Sequence, residues 1–331
     1  MEREYVEIQV RGKQVTVPCL RWQERTVVVN GRWLKIASIH DESLIAGTVV
    51  ADPGDLIAQM KAHGLRADIL TFSQKIYEKE PQFSYYFDWD NAAIARTTSF
   101  DEWWTALPQV VRKNVRRAER RGVTVRVVSF DDEFARGIKS IYDETPIRQG
   151  RRFWHYGKDL ETVKRENSSY LDRSEFLGAY SGAELVGFMK FVYVDRVAVM
   201  MQILSKAAHY DSRPMNALIA KAVELCASKG VPYLMYSKFT YGNKAESQIA
   251  DFKRRNGFVQ MDFPRYYVPV SLPGRLAIKL RLYRGVLGLL PPSMITLLSQ
   301  LRSAALKGRL DTPGDGAAAA ASTSGLSSSS D

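Results

Sequence analysis

Apolar and polar positions alternate with two different periods along this chain, and the change of period divides it. Up to about residue 100 the period is that of strands: residues 26–29, 32–37, 67–72 and 83–89 are short runs rich in Val, Ile, Phe, Tyr and Trp. Asn30-Gly31 between the first two runs suits a type I′ hairpin, in which both central residues take positive φ. One helix interrupts this region, with Asp52 as its cap, Pro53 in its first turn and Gly64 just past its end.

From residue 99 the helical period takes over. Ser99-Phe-Asp-Glu102 is a capping-box pattern, and Pro108 restarts the helix as residues 109–121. There Val111, Val115 and Ala118 form an apolar stripe, Arg112, Arg116 and Arg120 form one basic ridge and Lys113, Arg117 and Arg121 a second, and Gly122 ends the helix. The following elements are a strand (123–129), helices (131–143 and about 159–171), three strands (175–180, 184–194 and 197–204), a helix (214–228), a strand (231–237), a helix (244–255) and a strand (257–270). A meander followed by two strand-crossing helices predicts an α+β fold with one mixed sheet flanked by helices, in which strands 197–204 and 231–237 run parallel and splay apart.

Composition adds charge asymmetry. Residues 1–100 carry 12 basic and 13 acidic side chains, residues 101–310 carry 35 and 20, and the last 21 residues carry none and three, within a net charge of +11. The positive part favours an anionic partner: a phosphorylated donor, RNA or a membrane surface, with a plain basic soluble protein as the alternative. Cys19 and Cys226 stand too far apart for a metal or disulfide motif, Cys226 on the apolar side of its helix, and His40, His63 and His209 stand apart, so no metal site is expected. No signal-peptide pattern or long apolar span is present, so a cytoplasmic location is expected. Four regions follow: a β-rich 1–100, a unit at 101–272, a basic amphipathic pair of helices at 273–310 with no acidic residue, and an Ala/Ser/Gly-rich tail at 311–331 expected to be disordered. In the third region Leu276, Leu280, Tyr283 and Leu287 predict a buried helical face, turned by Pro291-Pro292, on the protein itself or on an anionic membrane.

The element order, with Asp251-Phe-Lys-Arg-Arg-Asn-Gly-Phe258 leading into the last strand, resembles the GNAT acyltransferase superfamily. The stretch Arg112-Lys-Asn-Val-Arg-Arg-Ala-Glu-Arg-Arg-Gly-Val123 resembles the FemAB-like branch, whose members carry two GNAT-like halves. The resemblance implies a GNAT-like mixed sheet over about 100–270, with residues 1–100 as a degenerate first half. It also implies transfer of an acyl or aminoacyl group from acyl-CoA or aminoacyl-tRNA to an amine, with no permanently bound cofactor. The chain departs from the GNAT pattern where a Gly-rich loop would hold the CoA pyrophosphate: Ser205-Lys-Ala-Ala-His-Tyr-Asp-Ser-Arg-Pro-Met-Asn216 has no glycine, and Pro214 has no N–H to offer. That departure leans toward the FemAB-like branch, which uses aminoacyl-tRNA, or toward an unknown donor.

Candidate chemistry follows from these placements. Residues 143–157 form the densest polar and aromatic stretch, offering Glu144, Arg148, Arg151 and Tyr156 for acceptor binding and His155 as a general base on its ordinary pKa; a loop pinned by Arg–carboxylate pairs is the plain alternative. The resemblance gives Tyr241 the role of general acid toward the leaving group and Lys253 that of stabilising an oxyanion, against a packed aromatic and a solvated lysine. Arg112, Lys113, Arg116, Arg117 and Arg120, with Arg213 and Asn216 at the next helix start, are the donor-phosphate candidates. Trp103, Trp104, Phe153 and Trp154 either stack on bases or fill a core. The expected activity is N-acyl or aminoacyl transfer, on a cell-envelope, polysaccharide-linked or other large acceptor. The rivals are a non-catalytic RNA- or phosphate-binding module on the same scaffold, and a peripheral membrane protein.

Overall fold

The computed structural model describes residues 4–10, 13–148, 150–240 and 248–284. The first half begins with an antiparallel meander of β1 (Glu4–Val10), β2 (Lys13–Trp22), β3 (Arg25–Asn30) and β4 (Ile36–Ile39). Helix α1 (Pro53–Ala62) carries the chain across to β5 (Ile69–Ser73), parallel to β4, and β6 (Phe87–Arg96) follows. Asp52 caps α1 by accepting from the Asp55 amide at 2.9 Å, as its position before Pro53 requires.

After α2 (Phe100–Ala106) and α3 (Gln109–Arg120) the second half repeats the plan with insertions. It comprises β7 (Val123–Val128), α4 (Asp132–Tyr142), a small hairpin of β8 (Ile147–Arg148) and β9 (Arg151–Arg152), α5 (Leu160–Asn167), β10 (Ser174–Ser181), β11 (Glu184–Val194) and β12 (Val197–Ser205). Helix α6 (Pro214–Ser228) crosses to β13 (Tyr233–Met235), parallel to β12, and α7 (Gln248–Arg255) leads into β14 (Val259–Pro269). Helix α8 (Leu272–Lys279) and a 3-10 turn at Leu282–Arg284 end the described chain.

Twelve strands form one sheet in the order β1-β2-β3-β4-β5-β14-β6-β13-β12-β11-β10-β7. Each half therefore lends its last strand to the other: β6 lies between β13 and β14, and β14 between β5 and β6. Because β6 and β14 are antiparallel, the halves are related by a rotation about the sheet normal, which puts the crossovers α1 and α6 on the same face. The runs β1–β6 and β7–β14 thus follow one plan within a shared sheet.

Leu56 and Met60 of α1 pack with Phe72 and Tyr266, while α6, α3 and the strands beneath them bury Val111, Val115, Leu218 and Ala95 on that same face. On the opposite face α4 and α5 cover β10 and β11 through Phe134, Tyr142, Val163, Phe176 and Phe188, and α8 covers the far side through Ala277 and Tyr283 against Ile69. Between these two lids, loop segments near residues 42–49 and 73–77 cover the middle of the sheet.

Three local expectations are corrected. Asn30 pairs with Ile36, so a five-residue loop replaces the two-residue turn; Gly31 takes φ 117°, and a Cβ there would come within 2.0 Å of the Leu34 carbonyl oxygen. The strand expected at 83–89 begins only at Phe87, since Phe83 and Tyr85 pack into the α1 core instead. In α8 the buried face is not the leucine face. Tyr283 is buried as expected, but Leu276 and Leu280 point outward, because Gly274 lies so close to β5 that a Cβ would sit 1.9 Å from the Asp68 carbonyl oxygen. Leu287, Pro291-Pro292 and the rest of 285–331 lie outside the described residues.

Candidate functional site

Strands β12 and β13 pair over only three positions, ending at Val199 opposite Met235. Beyond that point β12 continues to Ser205, whereas Ser237 takes φ 51° and turns the chain away. A bulge in β12 places one residue, Met201, between the partners of Lys190 and Phe191, and Met201 is exposed although its strand lies inside the sheet. The parallel pair thus opens into a V, as the crossover helix predicts.

On the sheet face between the two lids, a cavity of about 230 Å³ lies beside the V. Its floor is apolar, with Ala92, Val197, Val199, Met235 and Phe263, and its rim is charged. Arg265 donates to Glu42 at 2.6 Å and to Asp90 at 2.8 Å, and Lys238 donates to Asp90 at 2.7 Å. Burial alone would raise the Asp90 carboxyl, but Arg265 and Lys238 outweigh it and hold it below the usual carboxylate range. Across the cavity Lys75 pairs with Asp195 at 3.3 Å, and burial lowers its pKa despite that partner. The rim is therefore a ring of ion pairs over an apolar floor, suited to a ligand with an apolar body and a charged end. None of these charges stands out in the sequence, because the six come from six separate segments of the chain. The available signal was Asp88 and Asp90, two acids preceding Ala92 and Ile94 on one face of β6.

On the opposite face a polar recess of about 310 Å³ is lined by Val110, Asn114, Arg213, Asn216, Asp251 and Arg255, among others. Two of the donor candidates, Arg213 and Asn216, meet here beside α3, and Asn216 donates to Asn256 at 2.8 Å. The basic ridges divide by exposure: Lys113, Arg116, Arg120 and Arg121 face solvent, whereas the partly buried Arg112 donates to the Thr105 carbonyl and Arg117 pairs with Asp211 at 3.7 Å. Arg116 also lies over Trp104 at 5.8 Å.

Of the acceptor candidates, Glu144 and Arg148 are brought together at the end of β12, and their bonds pin the loop. Arg148 donates to the carbonyls of Ser205 and Ile141 and to Glu144 at 3.2 Å. Glu144 in turn accepts from the amides of Ala207 at 2.5 Å and Ala208 at 2.8 Å. Arg151 pairs with Arg148 in the small hairpin, and Tyr156 is exposed. His155 is buried between Tyr142 and Trp154, with ring centroids at 4.2 and 3.6 Å, and its Nε2 meets Gln202 at 3.1 Å. Burial, aided by Lys158 and Arg148, lowers its pKa to about 3, so its ordinary pKa, on which its reading as a base relied, does not apply here. Trp103 and Phe153 are buried, and Trp154 is exposed.

Lys253 is fully buried rather than solvated. It donates to the Lys238 carbonyl at 2.5 Å, lies over Tyr236 at 4.4 Å, and has a pKa lowered by burial to about 8. It thereby ties α7 to the chain leaving β13. Tyr241 lies outside the described residues. Gly257, of the Gly-Phe pair that carries the resemblance, takes φ 79°, and a Cβ there would lie 2.6 Å from Trp103 Nε1. The glycine is required both by its backbone and by this close approach.

No family model matches the chain, and no curated protein matches it in sequence. Among solved structures, L-PGS from Bacillus licheniformis is 16% identical over 78% of this chain and 85% of its own, with a TM-score of 0.50. The C-terminal domain of an assigned lysylphosphatidylglycerol synthetase from Agrobacterium fabrum is 13% identical over 80% and 87%, also with a TM-score of 0.50. FemX is 11% identical over 84% and 90%, with a TM-score of 0.49. At these identities the likeness is one of fold. With the meander and the crossover to a parallel strand repeated in each half, the chain has a GNAT-like fold, present twice.

Proposed function

We propose that this protein transfers an aminoacyl or acyl group to an amine acceptor. The observation that carries the reading is the V between β12 and β13, with the polar recess on one face and the central cavity on the other. In this reading the recess and the exposed ridge of α3 take the donor, and the cavity takes the acceptor. Aminoacyl-tRNA is preferred to acyl-CoA as donor, because Glu144 already occupies the Ala207 and Ala208 amides and α6 opens on Pro214. The assigned activity of the Agrobacterium domain, lysylphosphatidylglycerol synthesis, is also an aminoacyl transfer.

The acceptor nitrogen, as the free amine, attacks the ester carbonyl of the donor. A C–N bond forms, the C–O bond to the terminal ribose breaks, and the amine's proton ends on the departing hydroxyl. Tyr241 is the proposed proton donor to that hydroxyl, and Lys253 a positioning residue acting through the Lys238 carbonyl. The acceptor belongs to a cell-envelope or other large molecule, reached from the cytoplasmic surface of a membrane.

Incubating the full chain with radiolabelled aminoacyl-tRNAs, and separately with acyl-CoAs, and following label into extracted acceptors tests the reading. Label from charged tRNA supports it. Label from acyl-CoA alone replaces the donor, and tRNA binding without any product selects the non-catalytic RNA-binding alternative.

A further inference from the structure

Helix α8 has two faces with opposite fates. Gly274, Ala277 and Ile278 turn toward the sheet, and Tyr283 in the following turn closes the contact against Ile69 and Tyr267. The outer face carries Leu272, Leu276 and Leu280 at four-residue spacing, which remain 75%, 57% and 53% exposed. Leu282 beyond them is 45% exposed. Arg275 and Lys279 share that outer face and are also exposed, as is Arg281. The adjoining 31–35 loop, whose Leu34 packs against the inner face of α8, holds Trp33 at 91% exposure.

The carboxylates beside α8 do not neutralise this surface. Asp68 bonds the Lys35 amide and the Ser271 hydroxyl, and Asp88 bonds Tyr283 and Arg284. Residues 273–310 carry seven basic side chains and no acidic one. Leucines alternating with arginine and lysine that no described carboxylate pairs, on one outward face, match an interface that is apolar below and anionic above. A protein groove would require partners for each cation separately, whereas a lipid surface supplies phosphates at any lateral position.

We infer that the outer face of α8, with Trp33 beside it, lies on an anionic lipid surface. The surface adjoins the central cavity: Asp88, held by Tyr283 and Arg284, lies opposite Arg265, which in turn holds Asp90 on the cavity rim. A lipid-borne acceptor would therefore reach the cavity along one face of the sheet. That last step rests on the transfer reading, whereas the docking surface does not.

The test is sedimentation of the full chain with vesicles of phosphatidylcholine, alone or mixed with phosphatidylglycerol. The wild type should bind only the mixed vesicles, and less as salt rises. Leu276→Glu with Leu280→Glu should weaken binding at least about tenfold with the melting temperature unchanged. Arg275→Gln with Lys279→Gln should also weaken it, and decides the matter if the leucine variant does not fold. Failure of the wild type to bind mixed vesicles overturns the inference, as does wild-type binding by either variant that folds. If the melting temperature of the leucine variant falls by more than about 5 °C, the Arg275/Lys279 variant alone is read, and wild-type binding by it overturns the inference. Vesicle binding without transfer keeps this surface and removes the reaction; transfer without vesicle binding does the reverse.

Discussion

Glu144 Oε1 accepts from the backbone amide of Ala208 at 2.8 Å, so a side chain of the protein already holds the turn where a phosphate would be sought. Replacing Glu144 with Ala should expose two amides and leave Arg148 without its carboxylate. We expect a loss of about 2–3 kcal/mol in urea unfolding. The variant should also acquire a rise in melting temperature on adding pyrophosphate that the wild type lacks. Equal responses of the two proteins to pyrophosphate would mean that these amides are not an anion seat.

His155 supplies a pH signature. Its folded pKa is lowered to about 3 by burial, while an unfolded histidine titrates near 6.5. Between those values the unfolded chain binds the additional proton, so this group's contribution to stability is complete above 6.5 and is lost as pH falls toward 3. His155→Gln should flatten the acid side of the stability profile by up to about 1.4 kcal/mol per pH unit. Urea midpoints from pH 4.5 to 7 measure this, and parallel profiles for the two proteins would show that the imidazole is not desolvated. Transfer activity between pH 6 and 9 should keep its profile in the variant.

Exposure selects which basic residues to test on α3. Reversing Arg116 and Arg120 to Glu should weaken tRNA binding at low salt by more than about tenfold and reduce the slope of affinity against salt. Arg112 and Arg117 are poor choices, because their contacts with Thr105 and Asp211 mix packing with charge. Filter binding across a salt series gives the answer. An unchanged slope assigns α3 to the solvated surface.

Gly257→Ala tests the residue behind the Gly-Phe resemblance. With φ at 79° and Trp103 Nε1 in the path of the new methyl, the variant should lose more than about 1 kcal/mol in urea unfolding. A neutral result would show that Trp103 moves aside without cost.

The second half was legible because its periods and breakers agree. The Ser99 cap, the Val111/Val115/Ala118 stripe, Gly122, and the crossover from β12 to β13 all appear where the residue pattern places them. The exchange of β6 and β14 was not legible, since any apolar strand satisfies the same alternation and nothing local names its neighbour. For the same reason the Asp90–Arg265–Lys238 cluster stayed hidden: it exists only where β6, β14 and the end of β13 converge. The 143–157 stretch is dense in polar and aromatic residues, but exposure separates its members. Glu144 and Arg148 are spent on backbone groups, whereas Arg152, Trp154 and Tyr156 are exposed.

The swap of final strands binds the two copies into mutual dependence. Alone, the first copy would have β6 with nothing to pair with, and the second would have β14 in the same position, because all their ladder partners are β5 or β13 and each other. Neither copy can therefore be shed, however far its own residues drift from those of its twin. A half with no chemistry left to perform would still be retained as the frame that completes the other's sheet, free to change its surface for a different partner.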